Sequence, residues 1–124
     1  MKHSPRFLKL AEEARSRVKE ISPAEARERL SRNPKAVLID VREDHEWAEG
    51  HAKAAIHLGR GILERDLETQ YPDSSTEIIL YCGGGFRSAL SAEAATRMGY
   101  SKVFSLAGGY KALVKEGWPL EGLA

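Results

Sequence analysis

The chain has 124 residues, 42% apolar and 30% charged, the composition of one folded domain and not of a disordered chain. Nineteen Lys and Arg against eighteen Asp and Glu leave a formal charge of +1, which argues against nucleic acid or an anionic membrane as the main partner. One cysteine excludes an intramolecular disulfide or a zinc site built from several thiolates, and with no transmembrane or signal-like apolar run the expectation is a cytoplasmic protein.

Residues 1–20 read as an amphipathic helical extension. Ser4 is suited to cap it and Pro5 to its first position, and Phe7, Leu8, Leu10, Ala11, Ala14 and Val18 recur at helical spacing. The spacing predicts a helix that packs on its own domain. The main domain, 21–124, opens on a capping box, Ser22-Pro23-Ala24-Glu25, whose helix runs to about Leu30 before Asn33-Pro34 stops it. Val37-Leu38-Ile39 then reads as a buried strand, Asp44 to Glu49 as a short helix closed by Gly50, and Ala54 to Leu58 as a second strand. A helix from about Ile62 to Gln70 precedes the continuous apolar strand Ile78-Ile79-Leu80-Tyr81. A helix from Ser88 to Met98, the strand Val103 to Leu106 and a helix from Tyr110 to Glu116 complete the pattern. Apolar strands interleaved with helices predict an α/β fold, an open parallel β-sheet flanked by helices on both faces.

The only cysteine, Cys82, follows the most apolar strand and precedes a helix, the end of an open sheet where ligands gather. Gly83-Gly84-Gly85-Phe86-Arg87-Ser88 comes next. Three glycines let the backbone wrap a small object, and their N–H groups can converge into an anion nest. The helix start and the permanent cation Arg87 add to the field that favours a thiolate on Cys82. A nucleophilic sulfur in a cradle for an anionic substrate is the expectation.

The stretch Cys82-Gly83-Gly84-Gly85-Phe86-Arg87 resembles the active loop of rhodanese-type sulfurtransferases, Cys-x-x-Gly-x-Arg. Leu38-Ile39-Asp40-Val41-Arg42-Glu43, Glu46-Trp47, Gly50-His51, Ala55-Ile56-His57-Leu58, Leu106-Ala107-Gly108-Gly109 and Gly117-Trp118-Pro119 are similar to further motifs of that family, in the same order. The resemblance covers residues 21 to 120 and implies a rhodanese-like fold with the N-terminal helix as an addition. Ala52, Lys53 and Ala54 depart from the family's usual residues after Gly-His, and Leu113 stands where a tryptophan is common. The implied reaction is a double displacement: Cys82 takes a sulfane sulfur from a donor such as thiosulfate and passes it from a persulfide to cyanide or a thiol acceptor. Cys82 is then the catalytic residue, and Gly83, Gly84, Gly85, Phe86 and Arg87 bind substrate. Ser88, Asp40, Arg42 and His51 support the loop. No metal or organic cofactor is implied, and a protein could serve as sulfur donor or acceptor.

Three other readings share parts of this pattern. A phosphatase or arsenate reductase shares the cysteine, nest and arginine, but its loop has one more residue between them, giving a wider cradle for a tetrahedral oxyanion. A non-catalytic binding module would have no need of the complete Cys82 loop. A carrier passing persulfide between proteins keeps the same chemistry. His51 and His57 lack the partners of a metal site, and His45-Glu46-Trp47-Ala48-Glu49 lacks the second histidine of the zinc-protease pattern. Gly108 and Gly109 read as turn residues, and Glu64, Arg65 and Asp66 as a solvated helix face.

Overall fold

The computed structural model describes residues 2–123. The chain begins with α1 (Pro5–Arg15), β1 (Lys19–Ile21), α2 (Pro23–Arg32), β2 (Val37–Asp40), α3 (Asp44–Ala48), β3 (His51–Ala52) and β4 (Ile56–His57). After a 3-10 turn at Arg60–Ile62 come α4 (Leu63–Gln70), β5 (Glu77–Tyr81), α5 (Phe86–Arg97), β6 (Lys102–Leu106), α6 (Gly109–Lys115) and β7 (Leu120–Glu121). Five strands form a wholly parallel sheet in the order β1-β6-β5-β2-β4. β3 and β7 make a separate antiparallel pair.

Alternation along the central strand β5 divides the core. Ile78, Leu80 and then Cys82 turn to the face covered by Leu63 and Leu67 of α4 and Ala92 and Ala95 of α5. Ile79 and Tyr81 turn to the opposite face, against Ala26 of α2 and Leu113 of α6. Ile78, Ile79 and Leu80 are wholly buried, and each such side chain contributes roughly 1.5–3 kcal/mol of transfer free energy. Polar groups at the other end of β5 are matched too: Glu77 accepts from Arg29 at 3.0 Å and from Asn33 at 3.2 Å, fixing α2 to the sheet. α1 lies outside these layers. It packs on α5 through Ala14, Ala89 and Leu90, with Phe7 and Val18 beside them. No helix among the described residues is long and apolar enough to cross a membrane.

Several local readings need correction. The first helix stops at Arg15, and Lys19–Ile21 leaves it to pair with β6; backbone pairing overrides the helical recurrence of Val18. Ser4 makes no side-chain cap bond. Ser22 accepts from Glu25 N at 3.1 Å, but the Glu25 carboxylate turns to Arg29 instead of closing a box. A reciprocal box forms instead at the start of α3, between Glu43 and Glu46. Of the strand expected over residues 54–58, only Ile56–His57 pairs with β2. α5 starts two residues before Ser88, because Gly85 in the left-handed region serves as its N-cap.

Candidate active site

Cys82 leaves β5 at the carboxyl edge of the sheet, and the chain folds back over its sulfur. The turn requires Gly85: its φ is +101°, and a Cβ there would stand 3.2 Å from the Gly108 nitrogen. In return the Gly85 N–H donates to Cys82 Sγ at 3.1 Å. Ser88, in the first turn of α5, holds its hydroxyl 3.5 Å from the same sulfur. Behind it Ser105 of β6 lies 2.8 Å from Ser88 Oγ. Both serines are wholly buried, so their hydroxyls have each other and the sulfur as partners.

A second helix start clamps the loop from outside. Tyr110 N donates to the Cys82 carbonyl at 2.7 Å and Lys111 N to the Gly83 carbonyl at 3.2 Å. These are orphan donors of the first turn of α6, used to hold the loop backbone. The approach is so close that a Cβ on Gly109 would collide with the Cys82 carbonyl oxygen and lie 2.7 Å from the Gly83 carbon. By contrast, the N–H groups of Gly83 and Gly84 find no acceptor among the described residues. They remain available to a bound anion.

Arg87 is not a free cation. Its guanidinium grips Glu46 of α3 with two bonds, 2.6 and 3.0 Å long, the bidentate geometry that suits guanidinium to carboxylate. Glu46 Oε1 also accepts from Glu43 N at 3.0 Å. The Arg87 hydrogen bonds hold the Glu46 carboxyl down at about 2, against its partial burial. Arg87 therefore ties the Cys82 loop to the segment after β2 and brings a compensated charge to the site.

Asp40, Arg42 and His51 lie apart from the sulfur. Arg42 takes both Asp40 oxygens at 2.8 to 3.1 Å and donates to the Gly50 carbonyl at 2.7 Å. Its guanidinium carbon sits 4.1 Å over the Tyr110 ring, under the α6 start that clamps the loop. Tyr81, at the end of β5, receives the Ala52 N–H on its hydroxyl at 3.1 Å. Burial, reinforced by the nearby Asp40 charge, pushes its titration up. His51 stacks on Trp47 with ring centroids 3.4 Å apart and donates from Nδ1 to the Trp47 carbonyl at 3.0 Å. These three residues hold the neighbouring elements and make no hydrogen bond to Cys82 Sγ.

Gly83, Gly84, Phe86 and Arg87 line a cavity of about 1080 Å³ above the loop. Cys82 itself is 1% exposed, and the next two residues of its loop, Gly83 and Gly84, line the cavity. The structure brings the loop residues expected from the sequence together around Cys82 Sγ, with three contributors that the sequence did not single out. Glu46 was noted as part of a motif, with nothing to show that it pairs with Arg87 across 41 positions. Ser105 carried no signal beyond its place in a strand. Gly109, read as a turn, is needed for the close approach of α6.

A family model described as a rhodanese-like domain matches residues 22–116. The chain is 33% identical over 102 residues to the thiosulfate sulfurtransferase GlpE of Actinobacillus pleuropneumoniae, spanning 82% of this chain and 92% of that protein. It is 34% identical over 95 residues to the tRNA uridine(34) hydroxylase of Protochlamydia amoebophila, a match over 72% of this chain but only 30% of that longer protein. The solution structure of the polysulfide-sulfur transferase homodimer from Wolinella succinogenes superposes with a TM-score of 0.79 at 26% identity, over 93% of this chain and 86% of that one.

Proposed function

Since the chain belongs to the rhodanese-like domain family, whose relatives include sulfurtransferases, we propose that it moves a sulfane sulfur from a donor such as thiosulfate to cyanide or a thiol through a persulfide on Cys82. The observation that carries this reading is the surroundings of the sulfur: the Gly85 N–H at 3.1 Å and the Ser88 hydroxyl at 3.5 Å. Both can donate to negative charge on sulfur.

In the first step the Cys82 thiolate attacks the outer sulfur of thiosulfate. The Sγ–S bond forms as the donor S–S bond breaks, and the electron pair departs with sulfite. The Gly83 and Gly84 N–H groups, without partners of their own among the described residues, meet the charge on the transferred sulfur. In the second step cyanide or a thiolate attacks that outer sulfur, and the electron pair returns to Sγ. Charge and atoms balance in both steps, and no net oxidation is needed. Arg87 orients the loop through Glu46 and lines the approach. The reading includes a cytoplasmic setting, supported by its dependence on a single free thiol.

Incubation with thiosulfate followed by removal of small molecules should add one sulfur atom to the intact mass. Cyanide should remove it with formation of thiocyanate, and Cys82→Ser should never acquire it. Thiocyanate production by pure Cys82→Ser at the wild-type rate would overturn the proposal.

A further inference from the structure

The cavity above the loop is far larger than thiosulfate or cyanide requires. Its volume of about 1080 Å³ lies just above the range typical of sites for drug-sized organic ligands, roughly 300–1,000 Å³. The wall that makes it so comes from outside the family match: Lys2, His3, Ser4 and Phe7 line it from the N-terminal side. Aromatic contacts fasten that wall to the active loop. The His3 ring meets the Phe86 ring edge-on at 5.0 Å and the Phe7 ring at 5.1 Å, and Phe7 and Phe86 are 6.4 Å apart.

Charge on the cavity wall is lopsided. Glu46 is paired with Arg87, which leaves Glu43 as the one unpaired carboxylate among the described lining residues. Lys2 and Lys111 are exposed on the same wall and enter no ion pair among the described residues. An aromatic patch flanked by two ammonium groups suits an organic molecule with an apolar part and a carboxylate.

We propose that Lys2, His3 and Phe7, together with Phe86, bind the organic portion of a carboxylate-bearing thiol persulfide, so that the N-terminal segment sets the choice of sulfur donor. The inference rests on the persulfide reading of Cys82 for its chemistry. The Cys82 thiolate attacks the outer sulfur of R–S–SH, the Sγ–S bond forms, and the donor S–S bond breaks. The electron pair leaves on RS⁻, and the proton stays on the transferred sulfur.

Two measurements on the full chain test it, with glutathione persulfide as reacting probe and S-methylglutathione as inert one. In His3→Ala/Phe7→Ala, the ratio of kcat/KM for glutathione persulfide to that for thiosulfate should fall about tenfold, through KM. His3→Ala alone leaves the α1 packing residues Ala11 and Ala14 in place and should move the ratio the same way, by about threefold. S-methylglutathione should bind Cys82→Ser, and more weakly, by a similar factor, when His3 and Phe7 are also replaced. An unchanged ratio overturns the proposal, as does an equal fall for both donors or loading by a persulfidated protein alone. If no donor loads Cys82, the sulfurtransferase reading fails, while binding of S-methylglutathione still decides the role of the N-terminal wall.

Discussion

The ends of β2 and β5 lie side by side, with Asp40 in register with Tyr81, and both lead into charged segments. They have opposite fates. At the end of β2, Asp40 and, two residues on, Arg42 are buried, at 0% and 5% exposure, and spend their hydrogen bonds on each other and on the Gly50 carbonyl. After β5, one N–H serves the sulfur and those of Gly83 and Gly84 have no acceptor among the described residues. Charge at the carboxyl edge of a sheet is therefore a poor marker of a site. A satisfied ion pair braces; donors held in place without an acceptor can bind.

The widest difference should come from breaking the brace. Asp40→Asn leaves the Arg42 guanidinium buried with no counterion, and removal of one partner of such a pair costs about 3–5 kcal/mol. Urea unfolding should report a loss of that size. A loss below about 1 kcal/mol would show that the pair adds nothing beyond its neighbours. Next in size is Gly109→Ala, which strikes the loop side. The new Cβ would collide with the Cys82 carbonyl oxygen and stand 2.8 Å from the Gly83 oxygen, and the φ of +57° is itself unfavourable for alanine. A stability loss of about 2–3 kcal/mol is expected. Thiocyanate formation should fall by at least about tenfold, since a displaced loop no longer aims its donors. Gly61→Ala, where a Cβ meets nothing within 4 Å, is the control. Equal activity in the two variants would remove α6 from the account of the site.

What could be read from the sequence follows the same division between local and distant causes. The strands Val37–Ile39, Ile78–Tyr81 and Val103–Leu106 were legible because both their faces are buried, leaving uninterrupted apolar runs. β1 was not, because Lys19 and Glu20 are exposed on an edge strand and only Ile21 is buried. The two-residue strands β3 and β7 are too short for any periodicity. Cys82 and its glycines announce a tight loop through their own backbone chemistry. That Glu46 neutralises Arg87, that Ser105 backs Ser88, and that His3 reaches Phe86 are products of the folded topology. No spacing along the chain encodes them.

The smallest predicted effect concerns the pair that joins the two strand ends. Glu46 belongs to the segment after β2 and Arg87 to the loop after β5, and the carboxyl is held at about 2 instead of its usual 4.5. In the unfolded chain Glu46 takes up its proton near its usual value, whereas in the folded protein it resists until about pH 2. Its contribution to stability is thus complete above about pH 4.5 and is lost as the pH falls toward 2. With both side chains about one quarter exposed, solvent screening brings that contribution to on the order of 1–2 kcal/mol. Glu46→Gln should accordingly be less stable than wild type by that amount at pH 7. The gap should close as both proteins are titrated toward pH 2, because the wild-type carboxyl is then neutral as well. Urea midpoints collected at several pH values would reveal it. A gap that stayed constant over the whole range would mean that Glu46 contributes through shape and not through charge, and the two strand ends would then be joined by packing alone.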